Sequence, residues 1–342
     1  MTYTSPEETG KGLDEARRSP AGPRVVAFGG GTGMASLLSG LKNRVDHVTA
    51  VVTVTDNGGS SGRLRHEFDI GPPGDIRNCL LALADVQPRM CEAFQYRFSE
   101  GEFKGHCFGN LFITVLTRII GSFEDSVKEL HGLLRVRGKV LPISGGKISL
   151  VAHHPDGTKS TGEVQITRSG KPICSIELRP SPVELSVEIE EELRRADLFV
   201  FGPGSLFTSV IPNLLVDGLM DVVNATGKPR VYVSNIMTQS GETEDFRLSD
   251  HLRALQNHVG VDFPDYVLCH EGEIPEHVLE PYIRESAVPV VNDIALDSEF
   301  AGVEVVARDF YTGGEIVRHD PDELGQAVLD TFLKIKRQEA SV

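Results

Sequence analysis

At 342 residues the chain can enclose a sizeable core, and one large domain or two ordinary ones fit that length. Hydrophobic residues make up 40% and charged residues 24%, the balance of an ordinary soluble globular protein. A formal charge of −15 argues against a nucleic-acid backbone or an anionic membrane as main partner, though not against a small anion held by backbone N–H groups and a few arginines.

Cys79, Cys91, Cys107, Cys174 and Cys269 form no C-x-x-C pair, and their odd number speaks against a disulfide framework. A reducing cytoplasm is the expected compartment. No apolar stretch reaches the roughly 20 residues of a membrane helix, so no membrane insertion is expected. Residues 1–22 lack an apolar signal core and are expected to be a polar, disordered tail before a single α/β domain over 23–342.

Arg24 to Phe28 is an apolar run ended by glycine, a buried strand; Met34 to Leu41 has helical apolar spacing. Val48 to Val54 is β-branched and is a second strand. Together they predict a βαβ unit with parallel strands and a right-handed crossover. Pro72-Pro73-Gly74-Asp75 is a turn whose aspartate is expected to N-cap a helix from Ile76 to Ala84. Helices follow over Asn110 to Ile120 and Phe123 to Leu134, the latter behind Ser122-Phe-Glu-Asp125, a wider form of the capping box.

From Gly138 to about Pro180 the runs KVLPIS, KISLVAHH, EVQITRS and ICSIEL predict a small antiparallel β-rich insertion. A helix is expected from about Ser186 to Arg195. The opening pattern then returns: Asp197 to Phe201 runs into GPGSLFTS, and Arg230 to Ser234 into NIMTQSGET. Tyr266 to Leu268 and Val288 to Val291 read as further short strands, and Pro321 to Lys336 as a closing amphipathic helix. The expected fold is α/β: a doubly wound, mostly parallel sheet with a β-rich insertion at about 138–180.

Four strand-like runs thus end in loops rich in Gly, Ser, Thr and Asn: GGGTG, TDNGGSSG, GPGS and SNIMTQSGET. In one parallel sheet their ends share an edge, where ligands bind at the reversal of strand order. Glycine lets backbone approach a ligand closely, and Gly31 and Gly33 lie where a helix begins, so their N–H groups can face an anion. A phosphate-bearing ligand is the expectation. The first loop is neither G-x-G-x-x-G, because Met34 stands where glycine is needed, nor a Walker A loop, because no Gly-Lys-Ser/Thr follows. A standard NAD enzyme or kinase is therefore disfavoured.

The second loop carries Asp56, Asn57, Gly59, Ser60, Ser61, Arg63 and Arg65. Asp56 is of the type to bind a ribose hydroxyl or a metal ion or to take a proton; its competing role is an Asx turn. Arg63 and Arg65 suit a diphosphate, or solvent. Arg77 and Asn78 open the helix after PPGD and either line a pocket or decorate its first turn. Gly109 and Asn110 open another helix and suit a pocket wall. His153-His154, His106 beside Cys107, and the cationic cluster from Lys334 to Arg337 read as structural or solvated.

Together FGGGTG, VVTVTDNGGSSGRLR, PPGDIRNCLLALAD, FQYRFSEG, GHCFGNLFITVLT, VRGKVLPIS, FGPGSLFTSVIPNLL and YVSNIMTQSGETEDF resemble the CofD/YvcK family, its YvcK branch above all, with weaker similarity in PYIRESAVPV and EIVRHDP. The resemblance implies a Rossmann-like α/β fold with an added subdomain. The CofD branch transfers a phospholactyl group from a guanosine-diphosphate-linked donor to a deazaflavin with a divalent metal. The YvcK branch is linked to cell shape, wall synthesis and growth on gluconeogenic carbon, and is thought to bind UDP-sugars with no settled activity. That branch usually carries two aspartates before GGSSG; here Asp56 is followed by Asn57, which weakens a magnesium-assisted reading without excluding it.

The resemblance thus points to a non-enzymatic UDP-sugar sensor, of the UDP-N-acetylglucosamine type, that reports to an unidentified protein in wall or carbon metabolism. Gly30, Gly31, Thr32 and Gly33, with Gly202, Gly204 and Ser205, would cradle phosphates, while Asp56 and Asn235 would contact hydroxyls. Tyr282 would stack on the base and Arg318 would offset the diphosphate; their competing roles are packing and an ion pair with Asp320. Asn57, Gly59, Ser60, Ser61, Arg63, Arg77 and Asn110 complete the expected set. The alternative is a CofD-type transferase with Asp56 as base or metal ligand and magnesium as cofactor. A dinucleotide binder is a third, weaker reading, and a homodimer is left open.

Overall fold

The computed structural model describes residues 22–260 and 263–341. Apart from Gly22, the tail expected over 1–22 lies outside the described residues. The strands in chain order are β1 (Arg24–Gly29), β2 (His47–Val52), β3 (Lys139–Pro142), β4 (Ser149–His153) and β5 (Lys159–Thr161), then β6 (Ser175–Arg179), β7 (Leu198–Phe201), β8 (Arg230–Val233), β9 (Tyr266–His270) and β10 (Glu304–Arg308).

Seven of them form one sheet in the order β10-β9-β8-β7-β1-β2-β3, and every pairing in it is parallel. The chain starts in the middle, winds outward through β2 to β3, returns to lay β7 beside β1, and winds the other way to β10. The fold is therefore doubly wound and Rossmann-like, and the strand order reverses between β1 and β7. Helices cover both faces, so the central strands read as continuous apolar runs: Val25 to Phe28 and Leu198 to Phe201 are buried throughout. Phe28 stacks on Phe201 with ring centroids 4.8 Å apart. Ser122 N-caps the Phe123–Leu133 helix as expected, its Oγ accepting the Asp125 N–H at 3.2 Å.

The helix Gly31–Leu41 follows β1 and packs between Pro73–Leu83 and the closing helix Pro321–Glu339. Gly40 and Gly325 meet there backbone to backbone; a Cβ on Gly40 would run into the Pro321 carbonyl.

Several expectations change. KVLPIS supplies β3, an edge strand of the main sheet beside β2, so the insertion is shorter: a three-stranded antiparallel sheet in the order β5-β4-β6. EVQITRS alternates like a strand but forms the helix Glu163–Ser169, whose first turn is held from another loop by Asn57 Oδ1, which accepts the Val164 N–H at 3.0 Å. The segment from Val288 to Val291 makes only one bridge, between Met237 and Pro289, since proline has no N–H to continue a ladder. The outermost strand is β10 instead. Asp75 does not cap: its helix starts at Pro73 behind Pro72, and its side chain turns elsewhere. The helices Gly59–Phe68, Pro88–Gln95, Leu248–Val259 and Glu276–Arg284 were not foreseen.

Candidate functional site

Register places Gly29 level with Val52, and Phe28 level with Phe201, so the loops after β1, β2 and β7 leave the sheet at one edge. Where the strand order reverses they enclose a cavity of about 390 Å³. Of the expected residues, Gly30, Gly31, Thr32, Gly33, Asp56, Gly204, Ser205, Asn235, Tyr282 and Arg318 line it. The structure adds Ser36, Asp75, Glu163, Pro203, Ser209, Gln239 and His319, among others.

The first loop turns through Gly31, whose φ of +69° is the left-handed region that favours glycine, directly into the helix Gly31–Leu41. The N-cap residue of that helix, Gly30, has no side chain to cap it; Asp75, from the helix Pro73–Leu83, reaches the Gly31 N–H, and the rest of the positive end faces the cavity. A Cβ on Gly33 would lie 2.8 Å from the Pro203 carbonyl oxygen: the two loops touch through backbone. The loop after β7 is braced by a relay. Gly204 N–H donates to Asn235 Oδ1 at 3.2 Å, Asn235 Nδ2 to Gln239 Oε1 at 3.1 Å, and Gln239 Nε2 to Ser205 Oγ at 2.9 Å. The chain then enters a π-helical turn, Leu206–Val210, a distortion common beside functional sites.

The far wall is a strap before the closing helix. Val317 N–H donates to the Tyr282 hydroxyl at 3.0 Å, and His319 Nε2 bonds the Ser234 carbonyl at 3.0 Å. Arg318 sits between these fastenings and makes no ion pair among the described residues. Asp320, its expected partner, instead N-caps the closing helix by accepting from the Asp322 and Glu323 N–H groups.

Three carboxyl groups from three elements line the same cavity: Asp56, Asp75 and Glu163. Burial, and then the charge of Asp56, push Asp75 up to about 6, against the pull of a backbone hydrogen bond from Gly31. Burial, then Asp56, Asp75 and Glu242, push Glu163 up to about 8. Behind them burial raises Glu242 to about 7, although Thr208 donates to its Oε1 at 3.0 Å. Burial lowers His319 to about 4, so it is neutral.

Asp56 also fills its competing role, accepting the Gly58 N–H at 2.7 Å in an Asx turn. The donors do not fit a ready-made magnesium site. Asp56 and Asp75 each spend acceptor capacity on backbone, and no three acidic, His or Cys groups converge on a metal position among the described residues.

The remaining expected residues are not among those that line the cavity. Ser60 Oγ meets His106 Nδ1 at 3.2 Å and accepts from Asn110 Nδ2 at 3.3 Å. Arg77 donates to Asn110 Oδ1 at 2.6 Å and Asn78 Oδ1 at 2.7 Å. Arg63 donates to the Lys104 carbonyl at 3.3 Å, and Arg65 to carbonyls including those of Val54 and Thr55. Ser61 Oγ packs where a Cβ on Gly74 would sit, Asn57 holds the Glu163–Ser169 helix, and Gly59 opens the helix Gly59–Phe68. Gly202, at φ +83°, turns the chain out of β7 against the Val233 carbonyl. These residues buttress the loops.

The pattern that defines CofD, 2-phospho-L-lactate transferase CofD, matches residues 25–311. A gluconeogenesis factor of Halalkalibacterium halodurans is 44% identical over 308 residues, covering 90% of this chain and 95% of its own length. A gluconeogenesis factor of Bacillus subtilis is 42% identical over 310 residues, covering 90% and 98%. A crystal structure of a Bacillus halodurans protein superposes with a TM-score of 0.87 at 43% identity, covering 90% of this chain and 99% of that one. With a match running from β1 to beyond β10, the chain belongs to the CofD family.

Proposed function

We propose that the cavity binds a UDP-sugar of the UDP-N-acetylglucosamine type. The chain then acts as a gluconeogenesis factor, a cytoplasmic regulatory protein tied to cell shape, wall synthesis and growth on gluconeogenic carbon through a protein partner. One observation carries the reading: two glycine loops and the unpaired Arg318 face one cavity at the reversal of strand order. The diphosphate would lie over Gly30 to Gly33 and Gly204 to Ser205, its charge offset by Arg318. The Tyr282 ring would face the base, and Asp56 and Asn235 would meet hydroxyls. Names of the relatives and the resemblance support the regulatory role.

The acidic wall favours a second reading, a transferase of a phosphorus-containing group from a nucleoside-diphosphate-linked donor, with Asp56 or Glu163 near the reacting atoms. Incubating the protein with UDP-N-acetylglucosamine and analysing the nucleotide separates the two. The sensor returns it intact. A transferase releases a nucleoside monophosphate from its donor when an acceptor and magnesium are present.

A further inference from the structure

The lining of the cavity follows the strand order. Arg318 comes after β10, Tyr282 after β9, Asn235 after β8, Gly204 after β7, Gly30 after β1 and Asp56 after β2. Three strand spacings, about 14 Å in all, separate β8 from β2. In the proposed binding mode the base lies at Tyr282 and the diphosphate over the loops after β7 and β1. The next group of a nucleotide sugar along this line is the sugar, and the next loop is that of Asp56.

Two further carboxyl groups join Asp56 at that end. Asp75 belongs to the helix Pro73–Leu83, which packs on β2 and β3. Glu163 is the only described lining residue that the small antiparallel sheet and its helix contribute. That helix is fastened twice. Asn57 Oδ1, next to Asp56, accepts the Val164 N–H at 3.0 Å, and a Cβ on Gly241 would run into the Thr167 carbonyl. Among the described lining residues no cation accompanies the three acids from these elements, since Arg318 comes from the strap. Arg65 and Arg77 interact with Asp56 and Asp75 electrostatically, yet neither lines the cavity; they donate to the Ile148 carbonyl and to Asn110 Oδ1.

We propose that Asp56, Asp75 and Glu163 form the sugar subsite and restrict it to uncharged sugars, so that a nucleotide sugar carrying a carboxylate is excluded. The inference rests on the UDP-sugar reading above and adds the class of sugar. A sugar hydroxyl has a hydrogen to donate to a carboxylate, whereas a second carboxylate has none. A ligand carboxylate also brings a fourth acid to a cavity where three already repel one another. Beyond the effect of burial, the charge of Asp56 pushes up both Asp75 and Glu163, and those of Asp75 and Glu242 push Glu163 further. Selection then comes from a repulsive element rather than from an added contact.

UDP-glucose and UDP-glucuronate differ only at C6, a CH2OH group in one and a carboxylate in the other, so comparing them isolates the charge. Calorimetry measures how well each displaces UDP-N-acetylglucosamine from the full chain, without divalent cations, at pH 8, where Asp75 is ionised and Glu163 is losing its proton. Wild type is expected to prefer UDP-glucose roughly tenfold, and Asp75→Asn and Glu163→Gln to narrow that preference about threefold each. A ratio taken within one protein cancels any general change in affinity. A variant that fails to fold leaves the wild-type ratio and the other variant to decide. UDP-glucuronate that displaces as well as UDP-glucose, UDP-glucose that displaces nothing, or a preference that neither variant narrows would overturn the proposal and leave the UDP-sugar reading standing. If UDP-N-acetylglucosamine itself does not bind, that reading fails and the sugar subsite falls with it.

Discussion

Asp75 accepts the backbone N–H of Gly31 and presses so close to the first glycine loop that a Cβ on Gly30 would lie 2.6 Å from its Oδ2. A carboxyl group of the protein thus already occupies part of the anion cradle. A phosphate entering the loop must share that N–H or displace Asp75, and it meets a negative charge whenever Asp75 is ionised. Asp75→Asn removes the charge and keeps an acceptor oxygen. It is expected to tighten UDP-sugar binding about five-fold at pH 8, from about 1 kcal/mol of relieved repulsion. Calorimetry on the two proteins checks it; weaker binding would contradict this role.

The raised carboxyl groups give the cavity a pH dependence with a definite sign. A diphosphate binds best while Asp75 and Glu163 hold protons, so affinity falls as pH rises through about 6 and again through about 8. A reading centred on a bound divalent cation predicts the opposite slope, because a cation favours ionised carboxylates. Titrations between these pH values distinguish the two.

Folding stability follows the same logic. Glu163 titrates near 8 in the folded chain against an ordinary 4.5, so the folded state retains a proton that the unfolded chain has released. Stability from this source is fully present below about 4.5 and is lost as pH rises through about 8. Glu163→Gln has no proton to lose. Its melting temperature is expected to gain on wild type steadily across that window, and a constant difference would count against the shift.

Tyr282 and Arg318 separate positioning from contact. Tyr282→Phe keeps the ring but frees the Val317 N–H, so the strap loosens, with a loss of about 1 kcal/mol in binding, roughly five-fold. Arg318→Ala removes the only arginine or lysine among the described residues that line the cavity and is expected to lose about 2 kcal/mol, or roughly thirty-fold. Similar losses from both would mean that Arg318 acts only through the strap.

Gly40 lies away from the cavity, against the closing helix. Gly40→Ala forces backbone apart at Pro321 and Gly325 and is expected to cost about 1–3 kcal/mol of stability, read from chemical denaturation. Binding by the folded fraction should remain unchanged.

The parts of this architecture that are local in the chain were legible. β1 and β7 are buried on both faces, so each shows as an unbroken apolar run, and each glycine loop directly follows its strand. What was not legible depends on distant partners. Glu163 sits in a strand-like stretch that forms a helix whose first turn is held by Asn57, 107 residues away in the chain. Asp75 has the sequence of a cap but faces a loop more than forty residues earlier. β10 is half-buried along its whole length, so its apolar signal is weak. Arg63 and Arg77 bond to groups in other segments, Lys104 and Asn110, and Arg65 to the carbonyl of Ile148, partners that the local sequence does not reveal.

The most direct test is calorimetric titration of the full chain with UDP-N-acetylglucosamine, GDP and NAD, each with and without magnesium, beside Arg318→Ala. The account predicts saturable binding of the UDP-sugar without a metal requirement, weakened in the variant, and no comparable binding of GDP or NAD. Preference for GDP in the presence of magnesium, or UDP-sugar binding untouched by the loss of Arg318, would contradict it.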